Sequence, residues 1–167
     1  MKISLHWLSE YVQWREDNPA KIAAALTEAV GEVDDCITQG EFLENVVIGE
    51  ILSLTKHPNA DKLSLCTVMT DLGEKRVVCG GTNLRVDMHI AFAHIGARVK
   101  WHGGEIVTLA PVKIRGEASE GMICAAEELG LEEMFVLASE SGERPILDLT
   151  HITAKIGVPL TTALSLT

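Results

Sequence analysis

Two short stretches of the sequence carry paired basic side chains that suit phosphate binding. Arg98 and Lys100 are two positions apart, as are Lys113 and Arg115, and each pair encloses an aliphatic residue. Residues two apart in a β-strand lie on the same face, so each stretch would present two cations together. Side by side, two such strands would form a four-charge patch that contacts phosphates with little sequence preference. Ordinary solubilising charges on the outside of a sheet are the alternative interpretation.

Motifs typical of serine hydrolases, zinc proteases and phosphate-binding loops do not occur in the sequence. Cys79, His89, His94 and His102 follow one another at spacings of 10, 5 and 8 residues, which match no familiar metal-ligand pattern. Adjacent carboxylates such as those at 127–128 point apart, whereas general acid–base catalysis needs two groups that converge on one substrate atom. We therefore expect no catalytic residue and no metal site in this chain.

Aromatic residues are scarce where a nucleic acid would bind. Phe92 and Trp101 are the two that fall within the later predicted strands. A protein that stacks successive bases of a single strand would need more of them. The composition therefore favours recognition of a folded RNA by its shape and backbone.

The overall charge of −10 is unevenly distributed along the 167 residues. Residues 46–126 hold 9 Lys and Arg against 8 Asp and Glu, so the acidic excess lies in the two flanks. A nearly neutral centre can still present a local basic face. The sequence has no apolar run of about 20 residues and no secretory signal, which predicts a cytoplasmic protein without a membrane partner. Four cysteines without a CxxC motif are expected to be buried free thiols.

From residue 46 onward, apolar residues recur with period two and glycines separate the runs. Several short strands at about ten-residue spacing predict a small barrel or sandwich. The predicted strands are 46–52, 63–69, 76–79, 90–93, 97–101 and 106–114.

The two flanks of this region have helical patterns. Helices are predicted over 4–12 and from Pro19 to a left-handed stop at Gly31. A further helical turn is expected to begin at Ser119, whose hydroxyl can cap it. The tail reads as a strand at 146–149, a turn, and the start of a helix after Pro159.

Three motifs together resemble the tRNA-binding OB-fold shared by several synthetase-associated proteins. They are HPNADKL at 57–63, KIRG at 113–116 and SEGM at 119–122. The resemblance implies a five-stranded barrel, in agreement with the strand count. One departure is Glu117, which stands beside the predicted phosphate patch where that family usually has a small apolar residue.

The rest of the chain is similar to the bacterial phenylalanine–tRNA ligase beta subunit family. The similar stretches are 1–12, CGGTNLR at 79–85, EELGL at 127–131 and IGVPL at 156–160. This resemblance implies a mainly β chain with an α/β flank. A five-stranded OB-fold barrel at 41–147 would be inserted into a small, truncated α/β domain formed by 1–40 and 148–167.

The same resemblance implies a non-catalytic, tRNA-binding part of a larger enzyme. That enzyme is an (αβ)₂ assembly that joins phenylalanine to its tRNA with ATP and Mg²⁺, and its active site belongs to the alpha subunit. No cofactor is expected in this chain. Phosphates of tRNA would be contacted by basic residues and, as second choices, by three other polar positions. The basic residues are Arg98, Lys100, Lys113 and Arg115, and the other positions are Asn83, Arg85 and Ser119.

Two other functions stay open at this point. A free-standing, dimeric tRNA-binding or chaperone-like OB-fold protein would share the central motifs. A purely architectural domain that makes subunit contacts and touches no RNA would account for the acidic flanks.

Overall fold

A computed structural model describes most of the chain. The described residues are 5, 8, 11–13, 15, 18–36, 42–101, 104–132, 134–135 and 145–164. The chain divides into two compact units, Met1–Thr38 and Gln39–Thr167. The predicted helix over 4–12 falls largely outside the described residues.

In the first unit, helix α1 spans Pro19–Ala29 and confirms the predicted role of proline at a helix start. The side chain of Asn18 caps it by accepting hydrogen bonds from the backbone N–H groups of Ala20 (3.0 Å) and Lys21 (3.4 Å). The predicted left-handed stop at Gly31 is wrong. The helix instead ends at Ala29, and the chain leaves it at Val30, whose φ is −125°, while Gly31 is not left-handed.

The second unit is built on five long or central strands in one antiparallel sheet. They are β1 (Val46–Lys56), β2 (Ser64–Thr70), β3 (Gly73–Cys79), β4 (His89–His94) and β9 (Gly121–Ile123). Their order across the sheet is β3-β2-β1-β4-β9. This five-stranded arrangement confirms the predicted OB-fold.

The sheet curls so that its two edges meet. The backbone N–H of Glu120 donates to the carbonyl oxygen of Arg76 on β3 at 2.9 Å, and the Glu120 carboxylate accepts from the Arg76 N–H at 2.9 Å. The Ser119 hydroxyl accepts from the backbone N–H of Val78 at 3.2 Å. These contacts join β3 to the segment that leads into β9 and nearly close a barrel.

Strand β4 and the first half of β1 are buried on both faces, which is why their sequences read as continuous apolar runs. One face looks into the barrel, where Ile51, Ile90 and Phe92 pack with residues of β2 and β3. The other face packs against the tail and the segment around 129–131 through Ile48 and Ala91. The outer surface of β4 and of the first half of β1 is therefore covered, whereas β1 is exposed from Ser53 onward.

Between β4 and β9 the chain forms two small hairpins. Strand β5 (Arg98–Lys100) pairs with β6 (Ile106–Thr108), and β7 (Val112–Ile114) pairs with β8 (Glu117–Ser119). The single strand predicted over 106–114 is thus wrong, since Pro111 lies in the break between β6 and β7. The helical turn predicted at Ser119 is wrong as well, because Ser119 ends a strand.

The tail follows the barrel wall. A 3₁₀ helix at Glu127–Leu129 ends at Gly130, which has a left-handed backbone with a φ of +67°. Residues 146–149 make bridges to the barrel, among them Ile90 with Asp148, and helix α2 (Leu160–Ala163) follows Pro159. The N–H of Ile48 donates to Val158 and its carbonyl accepts from Gly157. The predicted α/β domain made jointly by 1–40 and 148–167 stays a prediction.

The cysteine prediction is confirmed at three positions and wrong at one. Cys66, Cys79 and Cys124 are buried free thiols, whereas Cys36 is exposed. Burial raises the pKa of the Cys66 thiol to about 12 and that of Cys79 to about 11. These two thiols are therefore protonated and unreactive at neutral pH.

Candidate nucleic-acid interface

The loop between β1 and β2 contains the HPNADKL motif and closes on itself. The backbone N–H of His57 donates to Leu63 at 3.0 Å, and the N–H of Leu63 donates to Ala60 at 3.3 Å. The His57 side chain is 5% exposed, whereas Pro58, Asn59 and the two residues at 61–62 face solvent. We refer to residues 57–63 as the β1–β2 loop.

The β7–β8 hairpin turns through two residues, Arg115 and Gly116. Both have left-handed backbones, with φ of +49° and +97° respectively. Two consecutive left-handed residues are typical of the type I′ turn that suits the twist of a hairpin. Lys113 and Arg115 were expected to share one face of a strand, but β7 ends at Ile114. Arg115 therefore projects from the turn.

The β1–β2 loop and the hairpin turn are hydrogen-bonded to each other. The Nε2 atom of His57 lies 3.1 Å from the carbonyl oxygen of Ile114. The Nδ2 atom of Asn59 donates to the carbonyl oxygen of Arg115 at 3.2 Å. The hairpin thus stands beside the end of the barrel where the β1–β2 loop lies.

Next to the hairpin, the outer surface of β1, β2 and β3 is polar. Ser53, Thr67 and Arg76 are successive register partners across the three strands, so their side chains form one row. With Thr55 and Ala118 of β8 they line a shallow cleft of about 50 Å³. A space of this size accommodates a phosphate oxygen or a hydroxyl but not a base.

Lys113 belongs to the same surface. It lies directly opposite Ala118 in the β7–β8 ladder, and opposed residues of an antiparallel pair point to the same side. Lys113 and Arg115 are both exposed. Arg76 is 69% exposed, and its Nη2 lies 3.9 Å from Glu117 Oε2, a distance that leaves the guanidinium largely to solvent. We call Arg76, Lys113 and Arg115 the hairpin patch.

Arg98 and Lys100 lie on a different hairpin, so the predicted pairing of the two basic strands is wrong. Strand β5 pairs with β6 and not with β7, because the chain returns on itself directly after residue 104. The predicted alternation within β5 is confirmed, since Val99 is buried while Arg98 is exposed. Lys100 Nζ lies 2.8 Å from Glu132 Oε1. This hydrogen bond raises the pKa of Lys100 and lowers that of Glu132.

Asn83 and Arg85 hold the tail against the barrel. Both ends of the Asn83 amide bond the backbone of Ile146, each at 2.8 Å. Arg85 Nη1 lies 2.7 Å from Asp148 Oδ2, and Nη2 donates to the Thr150 hydroxyl at 3.2 Å. Partial burial acts to raise the pKa of Asp148, but hydrogen bonds from Arg85 and Thr150 outweigh it and lower the pKa to about 2.

Ser119 is also engaged within the fold. Ser119 is 4% exposed. Its hydroxyl donates to the carbonyl oxygen of Gly121 at 3.0 Å and accepts from the backbone N–H of Val78. The RNA contacts predicted for Asn83, Arg85 and Ser119 stay predictions, and the hairpin patch does not depend on them.

Histidines and cysteines do not gather into a metal centre in the described part of the chain, where no group of three potential ligands lies close together. His94 instead faces Asp71, with 2.8 Å between Nε2 and Oδ1. His102 lies outside the described residues. Among the described residues, no helix is long and apolar enough to cross a membrane.

Two parts of this surface were not found from the sequence. The sequence places Arg76 in a strand, but its position beside Ser53 and Thr67 depends on the strand register, which no local pattern gives. His57 and Asn59 belong to the first motif, but their hydrogen-bond partners lie more than 50 positions away. The only sequence signal for this contact is that the motifs at 57–63 and 113–116 occur together in one chain.

The domain that contains the hairpin patch and the β1–β2 loop is similar to a known family. A family model described as "Putative tRNA binding domain" matches residues 46–145, which include every strand of the barrel. The chain belongs to this tRNA-binding domain family. Both the β1–β2 loop and the hairpin patch fall within the matched residues.

Relatives of this tRNA-binding domain include much longer proteins. The phenylalanine–tRNA ligase beta subunit of Chlorobaculum tepidum is 43% identical over 134 residues, which are 80% of this chain and 16% of that protein. The protein of the same name from Syntrophus aciditrophicus is 45% identical over 133 residues, again 80% and 16%. The chain thus spans about one sixth of the length of these relatives.

Among solved structures, a protein related to methionyl-tRNA synthetase from Pyrococcus horikoshii is similar. It is 17% identical and has a TM-score of 0.47, with 69% of this chain and 87% of that chain covered. At that TM-score the likeness adds nothing to the fold derived from the strand order.

Proposed function

We propose that this chain is the tRNA-binding N-terminal region of a phenylalanine–tRNA ligase beta subunit. The observation that carries the proposal is the 43–45% identity, over 80% of the chain, to two proteins of that name. Membership in the tRNA-binding domain family supports the same function. The chain would then serve an enzyme that attaches phenylalanine to tRNA, without containing the active site.

The proposed partners follow from this assignment. An alpha subunit would provide the aminoacylation site in an (αβ)₂ assembly in the cytoplasm, and ATP and Mg²⁺ would be used there. Within this chain, the proposed contribution is to hold the RNA backbone beside that assembly.

The hairpin patch is the proposed main contact with tRNA. The tail covers the outer surface of β4 and of the first half of β1, whereas the second half of β1 and the neighbouring surface of β2 and β3 carry hydroxyl groups and exposed cations. Arg76, Lys113 and Arg115 can pair with phosphates, and Ser53 and Thr67 can donate to phosphate or ribose oxygens. Arg98 and Lys100 on the β5–β6 hairpin are proposed as a second group of phosphate contacts.

The size of the native gene product, and the proteins that bind to it, test the assignment to a beta subunit. An antibody raised against this chain should detect a protein several times larger than 18.1 kDa in lysate of the source cells. It should also precipitate a smaller synthetase subunit with it. A band at 18.1 kDa without such a subunit would overturn the proposal and favour a free-standing tRNA-binding protein.

One observation keeps a purely architectural function as the second candidate. Residues 1–45 and 127–167 together carry a large acidic excess, which disfavours RNA on those parts of the surface. Intact binding to the alpha subunit, combined with no tRNA binding at low salt, would favour this candidate.

A further inference from the structure

His57 has both ring nitrogens engaged although it lies in a largely exposed loop. The backbone N–H of Asn59 donates to His57 Nδ1 at 3.0 Å. Because Nδ1 accepts that bond, the neutral ring carries its hydrogen on Nε2. Nε2 therefore donates to the carbonyl oxygen of Ile114, 3.1 Å away. The ring connects the β1–β2 loop to the last residue of β7.

Asn59 holds the next carbonyl of the same hairpin. Its Nδ2 donates to the carbonyl oxygen of Arg115 at 3.2 Å. Two consecutive carbonyl groups at the turn, those of Ile114 and Arg115, are thus held by two residues of one loop. The Asn59 N–H bond to His57 Nδ1 is a separate contact within the loop and joins the two residues to each other.

The hairpin needs such support. Strands β7 and β8 have three residues each, and two short strands alone are at best marginally stable in water. Ser119 fastens the base of the hairpin to β3, whereas the turn at its other end is bonded to the β1–β2 loop. Arg115 is moreover a non-glycine residue with a φ of +49°, a conformation that persists where the surroundings enforce it. Lys113 and Arg115 are exposed, so their own side chains contribute little to holding the turn.

We infer that His57 and Asn59 are positioning residues for tRNA binding, which act by holding the β7–β8 turn so that Lys113 and Arg115 meet phosphates as a preorganised pair. The inference rests on the proposed tRNA-binding function and names the device that orients its main contact. Without these bonds the two cations would still be present, but the turn would have to become ordered on binding RNA, and this loss of conformational entropy would weaken the affinity.

Two substitutions at His57 separate this role from simple folding of the loop. In His57→Gln the amide nitrogen replaces Nε2 and can still donate to Ile114, while the acceptor for Asn59 is lost. In His57→Asn the amide oxygen replaces Nδ1 and keeps the bond within the loop, but the side chain is too short to reach Ile114. If His57 acts by holding the hairpin, His57→Gln should bind tRNA more tightly than His57→Asn. If His57 acts only within the loop, the order of the two affinities should be reversed.

The measurement is fluorescence anisotropy of a labelled phenylalanine-tRNA transcript with the 167-residue chain, over a range of salt concentrations. His57→Gln should bind within about threefold of the wild type. His57→Asn should bind about tenfold more weakly at about 0.1 M salt, with a slope of log K against log salt that is less steep by about 1 to 2. Asn59→Ala, at an exposed position, should weaken binding in the same direction and serves if His57→Asn does not fold.

A background without the two cations provides the control. In Lys113→Ala/Arg115→Ala, adding His57→Asn should cause no further loss, because positioning residues act through groups that are no longer there. The inference is overturned if the additional loss equals that in the wild type, if His57→Asn keeps the wild-type slope, or if His57→Gln is the weaker binder. No binding by the wild type at low salt would instead overturn the proposed function itself.

Discussion

Asn83 binds the backbone of Ile146 with both ends of its amide, although 63 positions separate the two residues. Nδ2 donates to the carbonyl oxygen and Oδ1 accepts from the N–H, each at 2.8 Å. The side chain thus satisfies a stretch of tail backbone as a neighbouring strand would. It fastens the tail at the point where residue 146 also bridges to Ala125.

Replacing Asn83 should therefore lower the stability of the barrel unit. Asn83→Ala leaves the N–H and carbonyl groups of the partly buried Ile146 backbone without these partners, which costs about 1–3 kcal/mol. Urea denaturation followed by fluorescence measures the change. Thr108→Ala, at an exposed position on β6, is the matched control and should cost much less. A loss below about 0.5 kcal/mol for Asn83→Ala would contradict the assigned role.

Asp148 should make part of the stability depend on pH. Its pKa is lowered from 3.8 to about 2 in the folded chain, since the bonds from Arg85 and Thr150 outweigh the effect of burial. The group therefore stabilises the fold above pH 3.8, and this contribution is lost as the pH falls toward 2. Asp148→Asn should be less stable than the wild type at neutral pH.

Comparing the wild type with Asp148→Asn separates the contribution of this carboxylate to the pH dependence from the contributions of the others. The difference in free energy of unfolding between wild type and Asp148→Asn should shrink as the pH is lowered from 5 to 2, because Asp148 becomes protonated first in the unfolded chain and then, near pH 2, in the folded chain as well. Chemical denaturation at several pH values provides the measurement. A difference that stays constant over that range would mean that the ion pair with Arg85 contributes nothing.

Replacing Arg115 with asparagine should raise the stability of the fold and weaken tRNA binding. Asparagine tolerates the left-handed conformation better than arginine does, so Arg115→Asn should stabilise the fold by about 0.5–1 kcal/mol. Loss of one phosphate contact should at the same time weaken tRNA binding by about tenfold at 0.1 M salt. Thermal melting and anisotropy measure the two effects. In the control Arg115→Lys, which keeps the charge and the strain, both values should stay close to the wild type.

Parallel changes in Arg115→Asn would contradict this prediction. If stability and affinity both fell, the arginine side chain would be contributing to the fold itself. If neither changed, Arg115 would lie outside the RNA contact.

How far the sequence anticipates the structure differs between the barrel and its surface. Strands β1, β2 and β4 were predictable because their apolar periodicity or continuity reflects burial, which is a local pattern. The pairing of β5 with β6 was not, since a pattern of alternating residues does not specify a partner. Ser119 shows a related error, because serine favours helix caps locally whereas here its hydroxyl bonds Val78 across the barrel.

Glu132 offers a test of the second proposed contact group. Lys100 must give up its 2.8 Å bond to Glu132 before it can pair with a phosphate. An exposed ion pair is worth about 0.2–1 kcal/mol, so Glu132→Gln should strengthen tRNA binding by up to about fivefold. Glu105→Gln, which removes the same charge from an exposed position on the β5–β6 hairpin, is the matched control. Equal effects of both substitutions would indicate general charge and not a contact made by Lys100.

The salt dependence of tRNA binding tests the central claim most directly. For the three cations of the hairpin patch together with Arg98 and Lys100, the slope of log K against log salt should be about −3.5 to −4.5. Lys113→Glu should weaken binding of every tRNA about equally and make the slope less steep, while Lys155→Glu, the same change at an exposed position in the tail, should have little effect. Full affinity in Lys113→Glu, or equal losses in the two variants, would contradict binding through the hairpin patch.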